Sequence, residues 1–182
     1  MALTTHIALL RAVNVGGRGK VAMADLRKLL ADLGFEAPQS LLQSGNLTFR
    51  SELAGAALEA LLEREAKARL DLATDFIVRT AAEWDRVVAA NPFPAMAKDD
   101  PSHLVVMPLK VTPDAAGLEA LRAWIPGREA IEATDRDLYI TYPDGIGTSK
   151  LTGAVIERRV GTRGTARNWN TVTKLAALAA AR

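Results

Sequence analysis

The hydrophobic period of this chain switches between two residues and about 3.6 residues in the same order twice, and that order most limits what it can fold into. The stretch "THIALLRAV" reads as a strand. It is followed by "AMADLRKLLADLGF", a helix with Met23, Leu26, Leu30 and Leu33 at helical spacing and Gly34 as its stop. Two short strand-like runs, "SLLQ" and "NLTFR", flank Ser44 and Gly45, which predicts a hairpin. "AGAALEALLEREAKARL" puts Leu58, Leu61, Leu62 and Ala66 on one side of a second helix, and "DFIVRT" closes the set as a strand. The order β-α-β-β-α-β is that of a ferredoxin-like unit.

A third helix, "AAEWDRVVAA", leads into "NPFPAMAKDDPS", whose prolines and polar residues mark a boundary between expected halves 1–98 and 99–182. The second half then runs in similar order. "HLVVMPLK" is a strand, and "TPDAAGLEALRAWI" is a helix with Thr112 as N-cap and Pro113 at its first position. "EAIEA" and "DLYITY" form a hairpin around 134–136, and "GTSKLTGAVIERRV" is the second helix. Where the first half has a closing strand, this half offers only "TRGTAR" before the terminal helix "NWNTVTKLAALAAA". The expected fold is therefore α+β. It comprises two ferredoxin-like β-α-β-β-α-β half-domains, a degenerate duplication, the second modified at its end and finishing in a C-terminal helix.

The chain has no cysteine, so a disulfide framework and a thiolate metal site are excluded, and a reducing cytoplasm is the expected setting. With only His6 and His103, neither a dedicated metal site nor a cofactor is expected. Arg11 interrupts the apolar start too early for a signal-peptide core, and no run approaches the ~20 apolar residues of a membrane span, so no membrane partner is expected. Net charge is only +2, but it is unevenly spread. Residues 1–30 carry five Lys and Arg against one Asp, residues 150–182 carry seven against one Glu, and the middle is acidic. If the ends meet, they make one electropositive face that concentrates anionic ligands. Solvated surface charge is the plainer alternative.

Residues 14–22, "NVGGRGKVA", lie between the first strand and the first helix, where backbone N–H groups of a Gly-rich turn can cradle an anion. Asn14, Gly16, Gly17 and Lys20 are the candidates here, with Arg11 just upstream. The loop is no Walker A motif, because Asn14 and Val21 stand where Gly and Ser or Thr are needed. Gly17, Gly19 and Ala22 fit G-x-G-x-x-A, yet a hairpin follows where a dinucleotide fold needs a parallel strand. A turn whose glycines permit positive φ is the structural alternative. "QSGN", 43–46, is foremost a tight hairpin, with Ser44 and Asn46 as a possible polar ligand edge. Ser44 lacks a base and orienter set, since His6 lies in an apolar strand and His103 begins another. "GIGTSKL" places Thr148, Ser149 and Lys150 at the expected start of a helix, where an anion is favoured and simple capping is the alternative.

In "GTRGTARNWNTVTKL", 161–175, Thr165 or Asn168 can cap the last helix, and Trp169, Val172 and Leu175 can pack it down. Arg163 and Arg167 precede that helix's N-terminus, where cations are unfavourable unless a ligand or an internal carboxylate offsets them. Arg163, Thr165, Arg167, Asn168 and Asn170 join the candidate ligand set with Lys150. The expected function is a binding module for a phosphate-rich or other anionic ligand, either nucleic acid or a nucleotide-like small molecule. The alternative is a small metal-independent enzyme acting on a phosphorylated or acyl substrate through positioning and electrostatics. A sheet that stacks RNA bases is disfavoured, because only Phe49, Tyr139 and Tyr142 are supplied and their spacing does not match. Arg11 or Lys20, Lys150, and Arg163 or Arg167 are expected to approach one common surface.

Four stretches, "LLRAVNVGGRGKVAMADLRKLLADLGF", "LLQSGNLTF", "NPFP" and "GTARNWNTVTKL", in this order and at these distances, resemble a bacterial family known as domain of unknown function 1697. The resemblance spans essentially the whole chain. It implies two ferredoxin-like halves and carries no established activity.

Overall fold

In the computed structural model, which describes residues 2–17 and 19–181, the chain divides into two compact units, Met1–Arg86 with Lys174–Arg182, and Val87–Thr173. The first unit contains β1 (Thr4–Leu10), α1 (Met23–Asp32), β2 (Glu36–Leu41), β3 (Asn46–Ser51), α2 (Gly55–Leu70) and β4 (Phe76–Thr80). Its sheet has the order β2-β3-β1-β4, and every neighbouring pair is antiparallel. This excludes a parallel, Rossmann-type sheet. Alternation along the strands sends Ala8, Leu10, Leu47, Phe49, Phe76 and Val78 into one core with Leu26 and Leu30 of α1 and Leu58 and Leu62 of α2. Helix α1 stops where expected, because Gly34 follows its C-cap with φ +81°, a conformation that favours glycine.

Helix α3 (Ala81–Ala89) crosses the division between the units, which falls ahead of the expected 98/99 boundary. The expected linker is itself ordered as α4 (Pro94–Asp99) and a 3-10 turn, Pro101–His103. In the second unit follow β5 (Leu104–Pro108), α5 (Ala115–Trp124), β6 (Ala130–Thr134), β7 (Asp137–Thr141), α6 (Gly153–Val160) and β8 (Arg167–Asn168). The last helix, α7 (Trp169–Ala180), begins in this unit, and its residues from Lys174 belong to the first. The second sheet has the order β6-β7-β5-β8, again antiparallel throughout. Its core joins Val105, Met107, Leu138 and Ile140 to Leu118 and Leu121 of α5 and Ile156 and Val160 of α6.

Three expectations for this half are corrected. A closing strand does exist: β8 pairs Arg167 with Val106 and Asn168 with Val105, and Gly164 bridges Leu109. Gly164 permits the approach, because a Cβ there would lie 2.7 Å from both the Leu109 Cδ2 atom and the Pro108 carbonyl oxygen. Helix α5 is capped by Asp114, whose carboxylate accepts from the Gly117 N–H at 2.6 Å, and not by Thr112. Helix α6 starts at Gly153 under a Thr152 cap, so Thr148, Ser149 and Lys150 precede it and do not form its first turn. The reason is Leu151, which is buried and whose carbonyl accepts from the Tyr142 hydroxyl at 2.9 Å; the helix starts only after that anchor.

The outer edge of β4 is closed by side chains. The N–H groups of Phe76, Val78 and Thr80 donate to Glu63, Glu59 and Glu83 at 2.9, 2.8 and 2.7 Å. An edge strand left with free donors invites another strand, and three glutamates remove that option here. Arg122 acts similarly at β6, donating from Nε to the Ile131 carbonyl at 3.1 Å. Glu59 is buried, so Glu59→Ala strands the Val78 N–H in the interior. The expected loss is about 1–3 kcal/mol, read from the urea midpoint, and an unchanged midpoint would contradict this role. Among the described residues, no helix is long and apolar enough to cross a membrane.

Candidate functional site

The Gly-rich segment after β1 is held shut by one side chain. Asn14 sits at φ +54°, and its amide Nδ2 donates to the Val21 carbonyl at 3.0 Å and to the Gln43 carbonyl at 2.8 Å. Its Oδ1 accepts from the Val21 N–H at 2.9 Å, and its own backbone N–H reaches the Gly19 carbonyl at 3.1 Å. These four bonds close the loop on itself and tie it to the turn ahead of β3. Within the loop, Gly16 and Gly17 have φ of +59° and +76°. A Cβ would meet nothing within 4 Å at either, so conformation alone explains glycine there.

The loop, the start of α1 and the end of α2 enclose a cleft of about 490 Å³, lined by Asn14, Gly17, Lys20, Val21, Ala22, Asp25 and Leu70. Ala22, the N-cap of α1, supplies no side-chain acceptor for the first turn. A helix N-terminus without a cap keeps unsatisfied donors and positive partial charge. Lys20 adds a full positive charge to the same walls, and Asp25 adds one carboxylate.

Other first-unit candidates hold the loops in place. Asn46 is fully buried and donates to the Leu41 carbonyl at 2.9 Å and to Ser44 Oγ at 2.8 Å, so both side chains serve the hairpin turn. Gly45 between them has φ +77°, and a Cβ would come within 2.7 Å of Val13 Cγ2 and 2.8 Å of Leu10 Cβ. Arg11 lies 3.9 Å from the Asp75 carboxylate, while the Thr74 hydroxyl donates to the Arg11 carbonyl at 2.5 Å. Of this group the structure brings Asn14, Gly17 and Lys20 to one cleft. Asp25 was not legible as a member; its place in the first turn of α1 was the available signal.

In the second unit, Arg163 lines a cleft of about 590 Å³ with Lys110, Val111, Ala154, Glu157, Arg158, Gly161 and Thr162. Lys150 is exposed in the loop before α6. Arg167 is buried, donating from Nη1 to Thr165 Oγ1 at 2.6 Å and to the Ala166 carbonyl at 2.9 Å, and burial pushes its pKa down to about 10. Thr165 is also buried, with its N–H on the Pro108 carbonyl at 3.1 Å. Asn168 caps α7 by accepting from the Thr171 N–H at 3.0 Å. Asn170 is exposed, and its carbonyl accepts from the Thr173 hydroxyl at 3.1 Å. The Arg-Asn-Trp-Asn segment, 167–170, thus builds the strand-to-helix junction, and Arg163, upstream of it, stands on an open cleft.

Neither histidine stands in these clefts. His6 is wholly buried in β1 beside Phe49, with ring centroids 5.8 Å apart. Burial lowers its pKa against opposing pulls from the Ser51 backbone and from the Glu83 carboxylate. His103 pairs through Nδ1 with the Asp100 carboxylate at 2.6 Å.

No curated protein matches the chain in sequence. Its fold is similar to that of the conserved bacterial protein SP0830 from Streptococcus pneumoniae, with a TM-score of 0.79 and 23% identity over 98% of this chain and 99% of that one. At that identity the likeness is one of fold. The family model described as "Protein of unknown function (DUF1697)" matches residues 3–139, which takes in the Asn14 loop, the hairpin turn and most of the second sheet, and the chain belongs to that family.

Proposed function

We propose that the chain is a binding module for a phosphate-bearing or other anionic ligand, and that the cleft of Asn14, Gly17 and Lys20 receives it. The observation that supports this reading is the uncapped start of α1 beside a loop whose ends Asn14 ties together at Val21, with Lys20 on the same wall. Prearranged backbone donors, a helix N-terminus and one cation suit an oxyanion. A volume of about 490 Å³ accommodates a small molecule. Asp25 favours a nucleotide-like ligand over a nucleic-acid strand, because its carboxylate repels further phosphates and accepts hydrogen bonds from hydroxyl groups. The enzyme reading gains no support from His6, which lies in the interior and away from the cleft lining. A cytoplasmic setting accords with a chain without cysteine.

We also read the two units as ferredoxin-like halves of one degenerate duplication. Supporting this are the matching strand orders and the matching positions of the two clefts. Each lies by the loop after the unit's first strand and by the end of the helix before its last strand, at Leu70 in one and Gly161 in the other.

Titration calorimetry with AMP tests the site. Lys20→Ala is expected to weaken binding roughly tenfold or more, as loss of a charge-assisted hydrogen bond does. Because Lys20 is exposed, its thermal midpoint should stay close to that of the parent chain. AMP binding that is absent in the parent, or unaltered in Lys20→Ala, would refute the assignment.

A further inference from the structure

We propose that the cleft of Lys110, Arg158 and Arg163 is a separate site for the diphosphate group of a small ligand, either free pyrophosphate or a nucleoside diphosphate. Its three cations come from three segments: the loop after β5, the last turn of α6 and the stretch before β8. Hydrogen bonds staple the first and third of these segments together. The Lys110 N–H donates to the Arg163 carbonyl at 2.8 Å, and the Val111 N–H donates to the buried Thr162 hydroxyl at 3.3 Å. The cleft's one carboxylate, Glu157, accepts from the Gly164 N–H at 3.2 Å and fixes the turn that carries Arg163.

Three cations against one carboxylate leave the walls positive, and a multiply charged oxyanion offsets that excess better than a single phosphate does. Two of the three are arginines, whose planar forks match phosphate oxygens in pairs. The α6 C-terminus, capped by Gly161 at φ +73°, puts negative partial charge beside Arg158. That lets the cluster persist in the ligand-free fold, with the anion adding to an arrangement already formed. This site does not depend on the reading of the Asn14 loop, since no lining residue is shared.

Calorimetry of the full chain with inorganic pyrophosphate tests the proposal. Arg158→Ala and Arg163→Ala should each weaken binding roughly tenfold or more. Arg64→Ala, which removes one positive charge from the exposed face of α2, should not. Arg158 is exposed, so its variant reports on the site even if Arg163→Ala disturbs the fold. ADP in place of pyrophosphate separates the sources: equal affinity identifies the diphosphate alone, and tighter ADP binding that is still lost in Arg158→Ala identifies a nucleoside diphosphate. No heat with millimolar pyrophosphate, or an affinity unchanged in Arg158→Ala, overturns the proposal. So does binding that Lys20→Ala abolishes and Arg158→Ala leaves intact, because the ligand then sits in the other cleft.

Discussion

Trp169→Ala is expected to lower the unfolding free energy by about 3–5 kcal/mol, the range for removing a buried aromatic side chain. The indole is 9% exposed and opens α7 immediately after β8. Val172 and Leu175, three and six residues on, are fully buried, so Trp169 begins the apolar stripe that seats this helix. Neighbouring groups relax only in part around the space left by an indole, and the cavity adds to the lost transfer free energy. The junction amplifies the loss, because the Asn168 cap and both pairs of β8 lie next to the missing side chain. Urea unfolding followed by circular dichroism gives the value. A change below about 0.5 kcal/mol, as at an exposed site, would show that the helix is seated by other residues.

The ease of reading the first unit and the difficulty of reading the second have a common physical cause. Met23, Leu26 and Leu30 repeat on one helix face, Gly34 stops that helix at a positive φ, and "NLTFR" alternates between a core and an opposite face. Each signal is local, so the sequence displays it. Strand β8 is two residues long, too short for any period, and exists because Val105 and Val106 lie alongside it. The start of α6 depends on Leu151, held by a hydroxyl nine residues upstream of it, on Tyr142, which no capping rule detects. The candidate sites divide in the same way. Asn14, Gly17 and Lys20 occupy one contiguous loop and were legible as a group, whereas Lys110 and Arg158 meet Arg163 only through the fold. Burial is equally invisible in a string of letters. Arginines at 163 and 167 look alike in sequence, and the structure exposes the first and buries the second.

That difference makes Arg167→Ala the sharper test of the terminal motif. If Arg167 were a surface anion ligand, removing it would relieve repulsion at the start of α7 and leave stability unchanged or slightly higher. Its burial predicts the opposite. The guanidinium holds Thr165 Oγ1 and the Ala166 carbonyl, and its backbone pairs with Val106, so the side chain braces β8 from within. Alanine leaves those acceptors without their donor and opens a cavity, together about 2–4 kcal/mol after the recovered desolvation of the charge is allowed for. With its pKa near 10, Arg167 carries its full charge at pH 7, so the loss should be flat from pH 6 to 8. Arg167→Met restores the volume without the donors and should recover part of the loss, separating packing from hydrogen bonding. Pyrophosphate binding at the Arg158 cleft should persist in the folded fraction of both variants. Arg167→Ala that is as stable as the parent but no longer binds pyrophosphate would return Arg167 to the ligand site and remove it from the frame of the second sheet.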